Sequence, residues 1–390
     1  MKRCARSLGI FALSLGAAAA RAQPAPSPGP QSGARYVDVN GRKARLEVAG
    51  TGSPTVVLDS GLGDDHRAWR TVFPAIARFT RTVAYDRAGY GDSEPAPEAR
   101  SFEQVATDLH TLLGKAGIPP PYVLVGHSLG GAYIRAFAHL FKDDVAGLVF
   151  VDPLSEDMFA AVDEREAAIR EQDARMGGAP AGLQAEWSFL REQARQGFPQ
   201  LRSFGPPPDV PMAVLIARRD RPPKWVRTLL AQYGPWIADA TEAHLTVVVD
   251  SGHYVQGDDP QAVVAAIRRV VFPSVPIAVE RALKSGGVAS AIASFRGMKA
   301  RYPAEYLNER TLNALGYQRL GAGQVDDAIA LFKLNVEAYP ESANAYDSLG
   351  EGYAAKGGRE SAIASYRKSL ALNPDNTNAV QALKKLENER

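Results

Sequence analysis

Cysteine is nearly missing: Cys4 is the only one in a chain of 390 residues. A single thiol forms no internal disulfide and no multi-thiolate metal site, so the fold must hold together by its core. Charge of one sign is missing too. Forty-five Lys and Arg stand against 43 Asp and Glu, a formal net charge of +2, too little to draw nucleic acid or an anionic membrane. No Gly-x-Gly-x-x-Gly follows a strand-like run, which argues against a dinucleotide. No His-x-x-x-His or acidic cluster has ligand spacing, which argues against a metal. After the first 22 residues no apolar run reads as a spanning helix. The sequence therefore leads us to expect no cofactor, no metal, no nucleic-acid partner and no membrane insertion once the first segment is removed.

Apolar residues make up 45% and charged residues 23%, the balance of a globular chain rather than a disordered one. The length suits two domains. Lys2, Arg3 and Arg6 precede an apolar stretch over 8–20, and Ala20-Arg21-Ala22 has the small-x-small pattern of a cleavage site. Residues 1–22 thus read as a cleaved secretory signal, giving a periplasmic or secreted protein that begins at Gln23. A Pro-rich, extended linker is expected over 23–34. Strand-like runs follow at 36–39, 44–48, 55–58, 82–85, 122–125, 147–151, 212–217 and 245–250. The first two flank Asn40-Gly41, a hairpin-turn dipeptide. Most of the others are separated by helical patterns, so the fold class over 35–273 is α/β, a doubly wound and mostly parallel sheet. The interval 154–210 interrupts that alternation with charged helical sequence and is a candidate lid.

From 274 to 390 the pattern is helical throughout. Leu312, Leu315, Gly316, Ala328, Phe332 and Pro340 recur as Tyr346, Leu349, Gly350, Ala362, Tyr366 and Pro374, a period of about 34 residues. A looser copy runs through Ala291, Phe295 and Pro303. These positions resemble tetratricopeptide (TPR) repeats, which stack helix pairs and leave a concave groove suited to an extended peptide partner. The region supplies no nucleophile, base or metal site and is not expected to take part in chemistry.

The sharpest motif is Gly126-His127-Ser128-Leu129-Gly130-Gly131. It follows the apolar run Tyr122-Val123-Leu124-Val125 and opens a helical stretch, the strand–turn–helix setting that exposes a nucleophilic serine. Such a serine needs a base. His253, in Ser251-Gly252-His253-Tyr254, comes just after an apolar run, at a strand's carboxyl end where such sites gather. His127 fills the variable slot of the turn and is expected to pack or cap locally. His66, His110, His139 and His244 lie in segments that read as helix or loop, with structural roles expected for each.

With Asp59-Ser60-Gly61-Leu62-Gly63, Tyr85-Asp86-Arg87-Ala88-Gly89-Tyr90-Gly91-Asp92-Ser93 and Gly252-His253-Tyr254 in the same order, the chain resembles the α/β-hydrolase superfamily over about 36–273. The resemblance implies two-step acyl transfer without a cofactor, with the N–H groups of Leu62 and Leu129 as oxyanion hole. It offers two acids. Asp220 stands where most members place theirs, and Asp152 where a minority do. Relatives with the same Gly-His-Tyr ending often lack the later aspartate, which favours Asp152; against that, an aspartate in Val-Asp-Pro is frequently structural, and Arg218, Arg219 and Arg221 could simply pair with Asp220. The expected function is an exported serine hydrolase acting on a small carboxylic ester. The alternatives are an amide, peptide or lactone hydrolase on the same triad, and a TPR interaction protein carrying an inactive hydrolase fold. Dehalogenase and soluble epoxide-hydrolase chemistry is disfavoured, because those relatives place aspartate where Ser128 stands.

Overall fold

A computed structural model describes residues 33–97, 100–157, 162–219 and 221–388. It begins with a hairpin in which β1 (Gly33–Val39) pairs antiparallel with β2 (Arg42–Ala49) across Asn40-Gly41. Both turn residues have positive φ, 55° and 79°, as a two-residue primed turn requires. The linker expected over 23–34 is corrected at its end, because Gly33 and Ala34 already pair with Val48 and Glu47. Residues 1–32, the signal segment included, lie outside the described residues.

Strand and helix then alternate through β3 (Thr55–Asp59), α1 (Phe73–Ala77), β4 (Thr82–Tyr85), α2 (Phe102–Lys115), β5 (Tyr122–His127), α3 (Leu129–Leu140) and β6 (Val145–Val151). The interval after β6 holds three helices, α4 (Val162–Arg175), α5 (Ala181–Arg195) and α6 (Pro199–Ser203). The alternation resumes with β7 (Met212–Ala217), α7 (Pro223–Asp239), β8 (Ala243–Val248), α8 (Val255–Asp258) and α9 (Pro260–Val271).

Eight strands form one sheet in the order β1-β2-β4-β3-β5-β6-β7-β8. β2 meets β4 antiparallel, and every pair beyond β4 is parallel. Each residue of β3, β4, β5 and β7 is buried, so these strands carry unbroken apolar runs rather than alternation, as a sheet covered on both faces demands. α2, α3 and α7 cover one face, and α1 and α9 the other. The edge strand β8 alternates between partly buried and exposed residues and ends at Val248, two residues earlier than expected. His244 sits on this strand rather than in a helix or loop.

The helices continue as α10 (Val275–Lys299), α11 (Glu309–Gly321), α12 (Val325–Ala338), α13 (Ala343–Ala355), α14 (Arg359–Leu372) and α15 (Thr377–Asn388). Most positions marked by the 34-residue spacing are buried, among them Leu312, Ala328, Phe332, Ala362 and Tyr366, while Pro340 and Pro374 at the repeat ends are exposed. No linker separates this region from the sheet. Val275, Val279 and Leu283 of α10 belong to the same apolar cluster as Val263, Ile267 and Val270 of α9. The Phe272 ring lies 5.2 Å from Tyr302 and 5.0 Å from Tyr306.

That arrangement also explains a departure from expectation. The stretch Pro260–Lys299, spanning α9 and α10, contains an 18-residue window apolar enough to cross a membrane by length and composition alone. Val263, Ile267, Val279 and Phe295 within it are buried in the shared core. A covered helix and a spanning helix carry the same apolar signal.

Candidate active site

β5 delivers the chain into a turn that only a particular sequence fits. Ser128 adopts φ 53° and ψ −117°, a conformation that costs a non-glycine residue on the order of 1–3 kcal/mol. It is over-determined by its neighbours: the Ser128 N–H donates to the Val151 carbonyl at 3.1 Å, and its own carbonyl accepts from Leu154 at 2.9 Å and Gly131 at 3.0 Å. The flanking glycines are steric necessities. A Cβ on Gly126 would lie 2.4 Å from the Gly130 carbonyl oxygen, and one on Gly130 would lie 2.3 Å from the Asp59 oxygen. Leu129 opens α3, where first-turn N–H groups have no partner inside the helix.

Asp152 follows β6 with φ 41° and is 1% exposed. Its Oδ1 accepts from the Ala217 N–H at 3.0 Å. Its Oδ2 lies 2.6 Å from Nδ1 of His253 and also pairs with Arg221. With Nδ1–H donating to that carboxylate, the Nε2 lone pair of His253 is free. Asp220 lies outside the described residues. Among the described residues, Arg221 pairs with Asp152 and Arg219 with Asp258. Arg221 Nη2 is also 2.8 Å from His253 Nδ1. A guanidinium only donates, so this contact and the Asp152 contact favour opposite tautomers of His253. The buried carboxylate, negatively charged and a pure acceptor, favours the proton on Nδ1.

The loop bearing His253 is pinned from two sides. Asp258 accepts from the Gly252 N–H at 2.8 Å and from Arg219 at 2.5 Å. His127, fully buried, places its Nε2 2.9 Å from the His253 carbonyl oxygen, so the Nε2–H donates there. Burial, reinforced by the neighbouring His253 and Arg221, pushes the His127 imidazole down to about 3. It is a neutral strut at physiological pH. The local packing expected of His127 is thus contact with the loop of the candidate base.

Ser128, His253 and Asp152 line one cavity of about 520 Å³, together with Leu62 and Leu129. Trp187, Leu190 and Phe198 from the 154–210 interval form its apolar wall. Leu62 stands in the loop after β3, where the Ser60 hydroxyl donates to the Asp65 carbonyl at 2.9 Å. Sequence reading missed three features. Arg221 reaches the Asp152–His253 pair from 69 residues away in sequence. Arg87 and Glu186 form a buried ion pair at 2.6 Å. Asp65, His66 and Asp86 bring possible metal-ligating atoms within 4.8 Å of one another. The last three are already engaged: Asp65 pairs with Arg67, and Asp86 accepts from His66 Nδ1 at 2.6 Å and from the Asp92 N–H at 3.1 Å.

Comparison with known proteins matches residues 56–266 to the alpha/beta hydrolase family. Among curated proteins, the chain is 32% identical to the probable transporter efuK of Hormonema carpetanum over 138 residues, 33% of this chain and 20% of that protein. It is 32% identical to the uncharacterized protein YqjL of Bacillus subtilis over 108 residues, 28% of this chain and 43% of that protein. It is 33% identical to a soluble epoxide hydrolase of a Corynebacterium species over 114 residues, 29% of this chain and 39% of that protein. Each match spans less than half the length of these relatives. Among solved structures, the epoxide hydrolase CorEH is 19% identical with a TM-score of 0.47, covering 61% of this chain and 98% of that one. A thermophilic esterase from Thermogutta terrifontis is 22% identical with a TM-score of 0.43, covering 62% of this chain and all of the other, 100%.

Proposed function

The chain belongs to the alpha/beta hydrolase family, and from that premise we propose that it is a serine hydrolase cleaving a carboxylic ester. Ser128 Oγ attacks the ester carbonyl as His253 Nε2 takes its proton, and Asp152 holds the imidazole through Nδ1–H and stabilises its charged form. The N–H groups of Leu62 and Leu129 receive the developing oxyanion. His253 then protonates the leaving alcohol, and a water deprotonated by the same histidine releases the acid from Ser128. The observation that carries this reading is the 2.6 Å contact between His253 Nδ1 and buried Asp152 Oδ2, on the cavity that Ser128 lines.

Epoxide hydrolases are among the similar proteins, but the position of their nucleophilic carboxylate is held here by a hydroxyl at Ser128. Amide and lactone substrates use the same steps and remain the alternative, since the cavity wall sets acyl size and not the bond cleaved. The interval 154–210 acts as the lid over the acyl group. The helices from 275 onward are TPR-like repeats that recruit an extended peptide, and the protein works in the periplasm or outside the cell after removal of residues 1–22. The regular 34-residue spacing of buried positions supports the repeat assignment, and the basic head with its short apolar core supports export. The test is labelling with a fluorophosphonate followed by turnover of graded p-nitrophenyl esters beside peptide and lactone substrates. Modification at Ser128 with ester turnover is expected. An unlabelled, inactive but folded protein would leave the interaction-protein reading in its place.

A further inference from the structure

Behind the loop that carries Leu62 lies a buried charged cluster that the triad does not use. Arg87 follows β4 and is 3% exposed. Its guanidinium has five N–H groups, and five acceptor contacts meet them. Nε reaches Glu186 Oε1 at 2.6 Å and Nη2 reaches Glu186 Oε2 at 3.2 Å. Nη1 reaches Asp59 Oδ1 at 2.9 Å and the Ser60 carbonyl at 2.7 Å. Nη2 also reaches the Gly61 carbonyl at 2.6 Å.

The contact with Gly61 bears directly on chemistry. Its carbonyl belongs to the same peptide plane as the Leu62 N–H, and this peptide is trans. In a trans peptide the C=O and N–H point in opposite directions. Holding the oxygen from behind therefore aims the hydrogen forward. A cation on the oxygen also polarises the N–H, because hydrogen bonds in series strengthen one another.

The counter-ion comes from the lid. Glu186 lies on α5, is 1% exposed, and accepts from the Tyr90 hydroxyl at 2.7 Å as well. α5 seats so closely that a Cβ on Gly182 would lie 2.5 Å from the Gly89 carbonyl oxygen. Among the described residues Asp59 is the other carboxylate bonded to Arg87, through one oxygen, whereas Glu186 engages the guanidinium with both.

We propose that Arg87 is a positioning residue through which docking of the lid helix sets the oxyanion hole. With Glu186 seated, every guanidinium N–H is satisfied and the Gly61–Leu62 peptide is locked. Without it, two N–H groups are left unpaired in the interior, and Arg87 turns toward water and releases the loop. The proposal rests on Leu62 being a hole donor in the ester-hydrolase reading.

The test uses full-length Glu186→Gln, Arg87→Lys and Arg87→Met, each checked for native circular dichroism. Rates are measured on a matched p-nitrophenyl ester and its thionoester, whose sulfur a well-aligned hole accepts poorly. In Glu186→Gln, kcat on the oxygen ester is expected to fall tenfold to a hundredfold with KM within about twofold. The oxygen-to-sulfur rate ratio should fall with it, and Arg87→Lys should fall between wild type and Arg87→Met. An unchanged ratio in folded Glu186→Gln overturns the proposal, whether or not kcat drops. If Arg87→Met does not fold, Glu186→Gln and Arg87→Lys decide. Fluorophosphonate labelling of wild type separates this failure from failure of the serine-hydrolase reading, which would leave Ser128 unmodified.

Discussion

Replacing Asp152 by Asn should damage catalysis in a way the local hydrogen bonds make calculable. Oδ1 is fixed by the Ala217 N–H at 3.0 Å, so an asparagine placed there keeps its oxygen on that donor and turns its NH₂ toward His253 Nδ1. A donor now faces Nδ1. The imidazole must carry its proton on Nε2 instead, where it cannot accept one from Ser128, the origin of losses of about 10⁴ in other triads. One escape exists. Flipping the amide restores the acceptor to Nδ1 but sets NH₂ against the Ala217 N–H, and an unmet buried donor costs about 1–3 kcal/mol. At the upper end that escape route caps the loss near 10², since about 1.4 kcal/mol is tenfold. The expected fall in kcat is therefore about 10², short of the 10⁴ of a triad without that escape, with KM little changed and with fluorophosphonate labelling of Ser128 slowed in step. Steady-state turnover of a p-nitrophenyl ester measures the first, and mass spectrometry of the labelled peptide the second. An Asp152→Asn enzyme within tenfold of wild type would place the triad acid elsewhere, with Asp220 next in line.

Ser128→Ala should remove turnover by about 10⁴–10⁶ in kcat while the melting temperature stays within a few degrees; full activity in the purified variant would end the nucleophile assignment. His127 makes a pH prediction. Its folded-state value of about 3 lies below the ordinary 6.5, so the unfolded chain binds the proton first and stability is lost as pH falls below 6.5. At pH 5 that loss is about 2 kcal/mol, and urea titrations at pH 7 and 5 should show it shrink in His127→Gln; an equal loss in both proteins would assign it to other groups. Cutting after Pro340 spares the apolar cluster that includes Leu331 and Leu334, so kcat on a small ester should stay within about tenfold. Cutting after Pro273 uncovers Phe272 and should yield insoluble protein, and a soluble, stable product from that cut would contradict the shared core. N-terminal sequencing of periplasmic protein should begin at Gln23, and an intact Met1 on cytosolic protein would dismiss export.

The turn at Ser128 and the inner strands were legible because their signals are local. Gly126 and Gly130 are required by contacts a few ångströms away, and β3, β5 and β7 announce two-sided burial by unbroken apolar runs. What was illegible is long-range charge. Glu186 and Arg87 are 99 residues apart, and a lone glutamate in a charged helix reads as solvated. Arg221 was read beside its sequence neighbour Asp220, yet its partner is Asp152. The start of β1 was hidden because Gly33 carries no strand signal of its own and pairs only by following β2's register. Phe272-Pro273 read as a domain end because the strand pattern stops there, but an apolar cluster that crosses a boundary leaves no mark on periodicity.

That cluster makes the sheet and the helices from α10 to α12 one thermodynamic body. With Phe272 wedged among Phe79, Tyr302 and Tyr306, neither half can open without exposing the other's apolar face, so calorimetry should record one endotherm rather than two. Cooperative linkage of this kind works at a distance. A peptide held by α11 and α12, which share that cluster, at a hundred times its dissociation constant would add about 2.7 kcal/mol to the folded state. The strained turn at Ser128 would share that protection without being touched.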